Sequence, residues 1–136
     1  MKLTNTRLTK RKSGMTLLEL TVVILVLLSL ISILFVGARA WKKGSDRSAN
    51  ILNLRNAQQA VRGHANMNPD ATTIDEAIIY GAAGDGVGGY LRKPTPPTGI
   101  TSYTGGTVAP SVGALWLTAV YTDTSLQPAS ATYQDW

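Results

Sequence analysis

MTLLELTVVILVLLSLISILFV, residues 15–36, decides how this chain is organised. Its 22 residues carry one charge, Glu19. As a helix rising about 1.5 Å per residue it spans about 33 Å, enough for a hydrocarbon core of about 30 Å. A secretory signal peptide accounts for the basic residues ahead of it and for Ala38-Arg39-Ala40, which has the A-x-A cleavage pattern. The apolar region of a signal peptide, however, runs only about 7–15 residues. A plain membrane anchor accounts for length and flanks but not for Glu19, because a charge at a helix centre costs about 2.5–3.5 kcal/mol and usually marks function.

On the N-terminal side, Lys2, Arg7, Lys10, Arg11 and Lys12 place five positive charges before residue 14, with no acid among them. The whole chain of 136 residues has 13 Lys/Arg and 8 Asp/Glu, a net charge of +5. The other eight basic residues therefore balance the eight acids. The basicity belongs to a short tail, and no nucleic-acid-binding body is expected. Cysteine is absent and His64 is the only histidine. This excludes disulfides, cysteine nucleophiles, Cys-type zinc sites and multi-histidine metal sites.

Lys10-Arg11-Lys12-Ser13-Gly14 followed by Met15-Thr16-Leu17-Leu18-Glu19-Leu20 resembles the processing signal of type IV pilins and type II secretion pseudopilins. The resemblance implies a pilin-like α+β fold and residue-level roles. A prepilin peptidase would cut between Gly14 and Met15 and methylate the new amine of Met15. Glu19 would pair with that amine on a neighbouring subunit, since pairing lowers the cost of each charge in lipid. Contact of Glu19 with its own amine, or snorkelling to the interface, is the alternative. Thr16 would hydrogen-bond nearby. Family members often carry a proline about where Val36 stands; here Val36-Gly37 takes its place, so no proline kink is specified. Arg39, Lys42, Lys43 and Arg47 follow the apolar run, so the positive-inside bias is thin and the leader-in topology follows from the resemblance.

Beyond the membrane segment, Ile51, Leu54, Ala57, Gln58 and Val61 recur at helical spacing. One helix from about Met15 to Ala65 is expected, with two helices broken at Gly44 as the alternative. Asn66-Met67-Asn68-Pro69 ends it. Thr73-Ile74-Asp75-Glu76 reads as a capping box for a short helix through Tyr80. Gly84, Gly86 and Gly89 form a formal G-x-G-x-x-G, but no βαβ unit surrounds them and a flexible loop is expected. Tyr90-Leu91-Arg92 enters a strand, Ile100–Thr104 is a second and Ala114–Thr122 a third, with Leu115, Leu117, Ala119 and Tyr121 on one face. The bulk of Trp116 and Val120 on the other face suggests cover on both sides. Residues 123–136 read as a poorly ordered tail pinned by Tyr133 or Trp136. The expected organisation is a leader over 1–14, a transmembrane and assembly helix over 15–36, an amphipathic continuation over 37–65 and a small head over 66–136. The head is α+β, a helix packed on a small antiparallel sheet.

No catalytic motif accompanies His64, so no enzymatic activity is expected. The expected role is a structural subunit of a type II secretion pseudopilus or related filament, anchored by a single pass in a bacterial inner membrane with its head in the periplasm. A surface pilus for adhesion, motility or DNA uptake is the alternative. The implied partners are the prepilin peptidase, identical or related subunits, a platform protein and an assembly ATPase. Some major pseudopilins hold a cysteine-free C-terminal loop with calcium. Asp85, Asp123 and Asp135 are available here, but no two are close in sequence and no calcium-loop pattern is present, so no metal ligand is assigned.

Overall fold

A computed structural model describes Gly14 and residues 16–136. The described elements are a long helix α1, Leu17–Met67, a short helix α2, Glu76–Tyr80, and two strands, β1, Ile100–Gly105, and β2, Leu117–Tyr121. Two 3-10 turns follow, Thr124–Leu126 and Ser130–Thr132. The chain divides into two compact units, one ending at Arg39 and the other Ala40–Trp136. The architecture is α+β, as expected.

In the first unit, helix α1 is exposed on every side. It continues without a break through Gly37 and Gly44, so a division at Gly44 does not occur. Neither glycine has a neighbour within 4 Å of where a Cβ would stand. The expected stop is found: the helix ends at Met67, two residues before Pro69.

In the second unit α1 becomes one-sided. Its buried residues are Asn50, Leu54, Ala57, Gln58 and Val61. Asn50 thus replaces Ile51, which is only half-buried. The periodicity placed the face correctly, while hydrogen-bonding partners decided which residue enters it. The core gathers Leu54, Ala57 and Val61 from α1 with Ile74, Ile79, Tyr80, Ile100, Tyr103, Trp116, Leu117 and Leu126. Each buried large aliphatic side chain contributes about 1.5–3 kcal/mol.

Helix α2 is capped by Asp75, whose Oδ1 accepts from Ile78 N at 3.0 Å. Thr73 is therefore not the cap. Glu76 is not the reciprocal partner either: its carboxylate accepts from Gly105 N at 2.6 Å and from Lys93 Nζ. The glycine-rich segment after α2 is a loop tied down by its own backbone. Ile79 O accepts from Tyr90 N at 2.8 Å and Leu91 N at 3.0 Å, and Tyr80 O accepts from Gly86 N at 2.8 Å. These bonds hold residues 90–92 against α2, so the strand expected there does not form. Gly89 is needed for the approach, since a Cβ there would lie 2.7 Å from Ile79 O.

β1 and β2 are antiparallel and form a two-stranded sheet. Ile100 faces Tyr121 but Ser102 faces Val120, so Thr101 is an extra residue on β1. This bulge puts Ile100 and Tyr103, three apart, on the same buried face. β2 is shorter than expected. Leu117 is buried, and Ala119 and Tyr121 are half-buried, whereas Thr118 and Val120 are exposed. Cover on both faces of β2 is thus not found. Trp116 is buried because it precedes the strand, where its Nε1 donates to Ile74 O at 3.1 Å. Residues 123–136 are folded: Leu126 enters the core, and Trp136 O accepts from Gly113 N at 3.2 Å.

Candidate assembly helix and its acidic N-terminus

The first four N–H groups of a helix lack intrahelical acceptors. At the start of α1 two residues supply them reciprocally. Thr16 Oγ1 accepts from Glu19 N at 3.3 Å, and Glu19 Oε2 accepts from Thr16 N at 3.2 Å. Thr16 O also accepts from Leu20 N at 3.1 Å. This is a capping box, written in the sequence as Thr16-Leu17-Leu18-Glu19. The spacing is readable in the sequence, where Glu19 serves the helix start through its hydrogen bond as well as through its charge. The structure therefore brings Thr16 and Glu19 together. Gly14 is exposed. Met15 and the basic run before Gly14 lie outside the described residues.

Between Leu17 and Val36 the helix presents apolar side chains on all sides, and the spanning window has no buried share. It is the one helix among the described residues long and apolar enough to cross a membrane. Its hydroxyls are satisfied locally. Thr21 donates to Leu18 O at 2.8 Å, Ser29 to Val26 O at 2.7 Å and Ser32 to Leu28 O at 2.8 Å. No hydroxyl therefore needs water, which suits an apolar medium. With backbone groups paired along the helix, Glu19 is the one ionisable group in this stretch, and it stands in the first turn. There the positive end of the helix dipole favours a carboxylate.

In the second unit the residues considered for chemistry are scattered. Asp123 Oδ1 accepts from Ser125 N at 3.0 Å and Ser125 Oγ at 2.6 Å, and its Oδ2 pairs with Lys43 at 2.9 Å. The Ser125 hydroxyl, Lys43 and the Ser125 amide together hold its carboxyl at about 2. Asp85 accepts from Val87 N at 2.9 Å within the glycine loop. Asp135 lines a pocket with Arg55 and Arg62. Among the described residues no three His, Asp or Glu side chains are grouped to hold a metal ion. His64 Nδ1 lies 3.1 Å from Tyr90 Oη and 3.3 Å from Asn68 Nδ2. Lys42 donates to Thr98 Oγ1 at 3.4 Å. Burial raises Glu76, but the Lys93 hydrogen bond, the Gly105 amide and the Lys93 charge outweigh it and hold its carboxyl below the ordinary value. Burial pushes the Tyr80 and Tyr103 hydroxyls up.

Two buried amides on α1 form a set that the helical period alone does not single out. Asn50 donates to Leu126 O at 3.0 Å and Tyr121 Oη at 3.2 Å, and accepts from Tyr103 Oη at 2.9 Å. Gln58 donates to Ala114 O and accepts from Trp116 N, both at 3.0 Å. They latch the helix to the sheet and the C-terminal segment. The signal available was two amides eight residues apart on an otherwise apolar face. The chain matches no family model, no curated protein and no solved structure.

Proposed function

We propose that this chain is a structural subunit of a type II secretion pseudopilus or a related type IV pilin-like filament, inserted in a bacterial inner membrane before assembly. The observation that carries the reading is a membrane-length apolar helix that opens on a single carboxylate in its first turn, directly after a basic run ending in Gly14. In a plain anchor that carboxylate would serve only to cap the helix. In a filament subunit it has a second use, because the amine freed at Met15 needs a partner once it leaves water. Glu19 spends one carboxylate oxygen on Thr16, which leaves the other for an incoming amine. The role is mechanical: subunits leave the bilayer and stack by their apolar helices, where packing rather than water exclusion supplies the attraction. Prepilin peptidase, a platform protein and an assembly ATPase are the partners this reading requires, and no catalysis is assigned to the chain.

Intact-mass and N-terminal analysis of protein extracted from membranes tests it. The expected product begins at a methylated Met15 and has 122 residues, the 136 of the chain less the first 14. An N-terminus at Trp41 would establish cleavage as a secretory signal peptide instead, and an intact Met1 would establish a plain anchor.

A further inference from the structure

The sheet ends on a strand edge that the filament reading does not use. Among the described residues β2 has β1 as its one neighbour. Bonds at the two ends of the ladder fix which way its backbone groups point. Trp116 O accepts from Gly106 N at 2.8 Å, and Thr122 N donates to Gly99 O at 2.9 Å. In an antiparallel pair such bonds recur at every second residue, so Thr118 and Val120 also face β1. Gly105 N, which bonds to Glu76 rather than to β2, fits the same alternation. The N–H and C=O groups of Leu117, Ala119 and Tyr121 therefore point out of the opposite edge, where they have no backbone partner among the described residues. A groove of about 150 Å³ lies beside these residues, walled also by Leu115, Pro128 and Tyr133, and no charged residue lines it. Gln127 and Tyr133 bring one amide and one hydroxyl to that wall. Two such groups cannot serve three N–H donors and three C=O acceptors.

We propose that the open edge of β2 takes up an extended, uncharged segment of a different polypeptide, which adds to the sheet as a third strand. Folded proteins blunt a free strand edge with a charge, a proline or a bulge. The five residues Leu117–Tyr121 carry no charge and no proline, and the bulge lies on β1. The surrounding run from Pro94 to Thr122, 29 residues, has no charge either. Donors and acceptors alternating along one edge are the complement of another extended backbone. Main-chain bonds then supply affinity, and a pocket for one side chain of the added strand supplies selection. The uncharged groove selects an apolar side chain, since an unpaired charge buried there is costly. A second copy of this chain fits poorly. Antiparallel pairing of β2 with β2 has its dyad normal to the sheet, and that rotation reverses a helix lying on the sheet, as α1 does through Leu54 and Val61. Subunits anchored in one membrane keep their helices parallel. That exclusion rests on the filament reading, whereas the open edge itself does not.

Amide hydrogen exchange on the full-length ¹⁵N-labelled protein in detergent micelles provides the test. Without a peptide, the amides of Ala119 and Tyr121 should exchange about tenfold or more faster than those of Thr118 and Val120, which lie in the ladder. The probe is the peptide acetyl-Thr-Val-Thr-Val-Thr-amide. One control has all five residues N-methylated, and another has lysine in place of both valines. Saturable protection of Ala119 and Tyr121 by the valine peptide, with neither control protecting them, is the expected result. Ala119→Pro removes an N–H that the ladder does not use, which an edge strand tolerates. It should weaken peptide binding about tenfold, with unchanged protection of Thr118 and Val120 showing that the sheet is intact. Equal protection of the odd and even amides at every protein concentration would show the edge already closed within the chain and overturn the proposal. Protection that rises with protein concentration in the absence of peptide would assign the edge to a second copy and overturn it as well. So would equal effects of the valine peptide and the N-methylated control, which would mean apolar adsorption without strand pairing.

Discussion

Glu19 serves the fold and, on the proposed reading, assembly as well, and the two roles separate by substitution. Glutamine at the third helical position can still reach back to the N-cap amide, whereas alanine cannot. Glu19→Gln should therefore keep the bond to Thr16 but lose the charge. We expect filament yield to fall about tenfold or more with both Glu19→Gln and Glu19→Ala, because charge-assisted pairs contribute about 1.5–3 kcal/mol. Membrane insertion should be unchanged in both. Pelleted filament from processed subunits measures this, and wild-type yield from Glu19→Gln would confine Glu19 to capping. Asp123 is the other residue with a testable charge. Its carboxyl sits at about 2 against an ordinary 3.8, through Ser125 and Lys43. A depressed folded value gives stability that is present above the unfolded value and lost as pH falls from 3.8 towards 2. Asp123→Asn should flatten denaturation midpoints measured across that window, the two proteins converging at its lower end.

Among the elements, α1 is joined to the sheet by polar contacts set in an apolar face. Asn50→Ala would orphan Leu126 O and take away the acceptor of the Tyr103 O–H, both in the buried interior, while Tyr103 Oη keeps only the bond it accepts from Asn53. Gln58→Leu would orphan Ala114 O and Trp116 N at nearly constant volume. A buried group left unpaired costs about 1–3 kcal/mol, so each variant should lose that much in urea unfolding. Tyr103→Phe removes one hydroxyl and should lose less. The end of β1 is equally constrained. A Cβ on Gly105 would lie 2.6 Å from Trp116 Cη2 and 2.7 Å from Glu76 Cγ. Gly105→Ala should displace the indole from Ile74 O and cost about 1–3 kcal/mol, as overpacking does. The helical period identified this face of α1 in advance. It could not distinguish Asn50 from Ile51, because the choice rests on Tyr103, Tyr121 and Leu126, more than fifty residues away.

For the whole molecule, the division at Arg39 and Ala40 carries a prediction. Among the described residues every core residue, from Leu54 to Leu126, lies in the second unit. The apolar stretch from Leu17 to Val36 contributes nothing to that core. A fragment of residues 40–136 should therefore be soluble and fold cooperatively as an α+β unit. Circular dichroism and sedimentation will measure this, and an insoluble or unfolded fragment would show that the core depends on the removed helix.

Composition and period were sufficient for the long apolar helix, its end before Pro69, the strands near Ile100 and Leu117 and the α+β class. Each of these follows from neighbours within a few residues: uninterrupted apolar character, the proline restriction, and runs rich in β-formers. Even the Thr16–Glu19 capping box was local and legible. The Thr101 bulge, the entry of Asn50 into the core, the packing of Trp116, the closing of residues 90–92 onto α2 and the folded segment after Asp123 belong to the tertiary structure alone. In each case the side chain or carbonyl that satisfies a buried group comes from a distant part of the chain. Local pattern carries no record of which distant group will arrive, and hydrogen-bond satisfaction in the assembled core makes the selection.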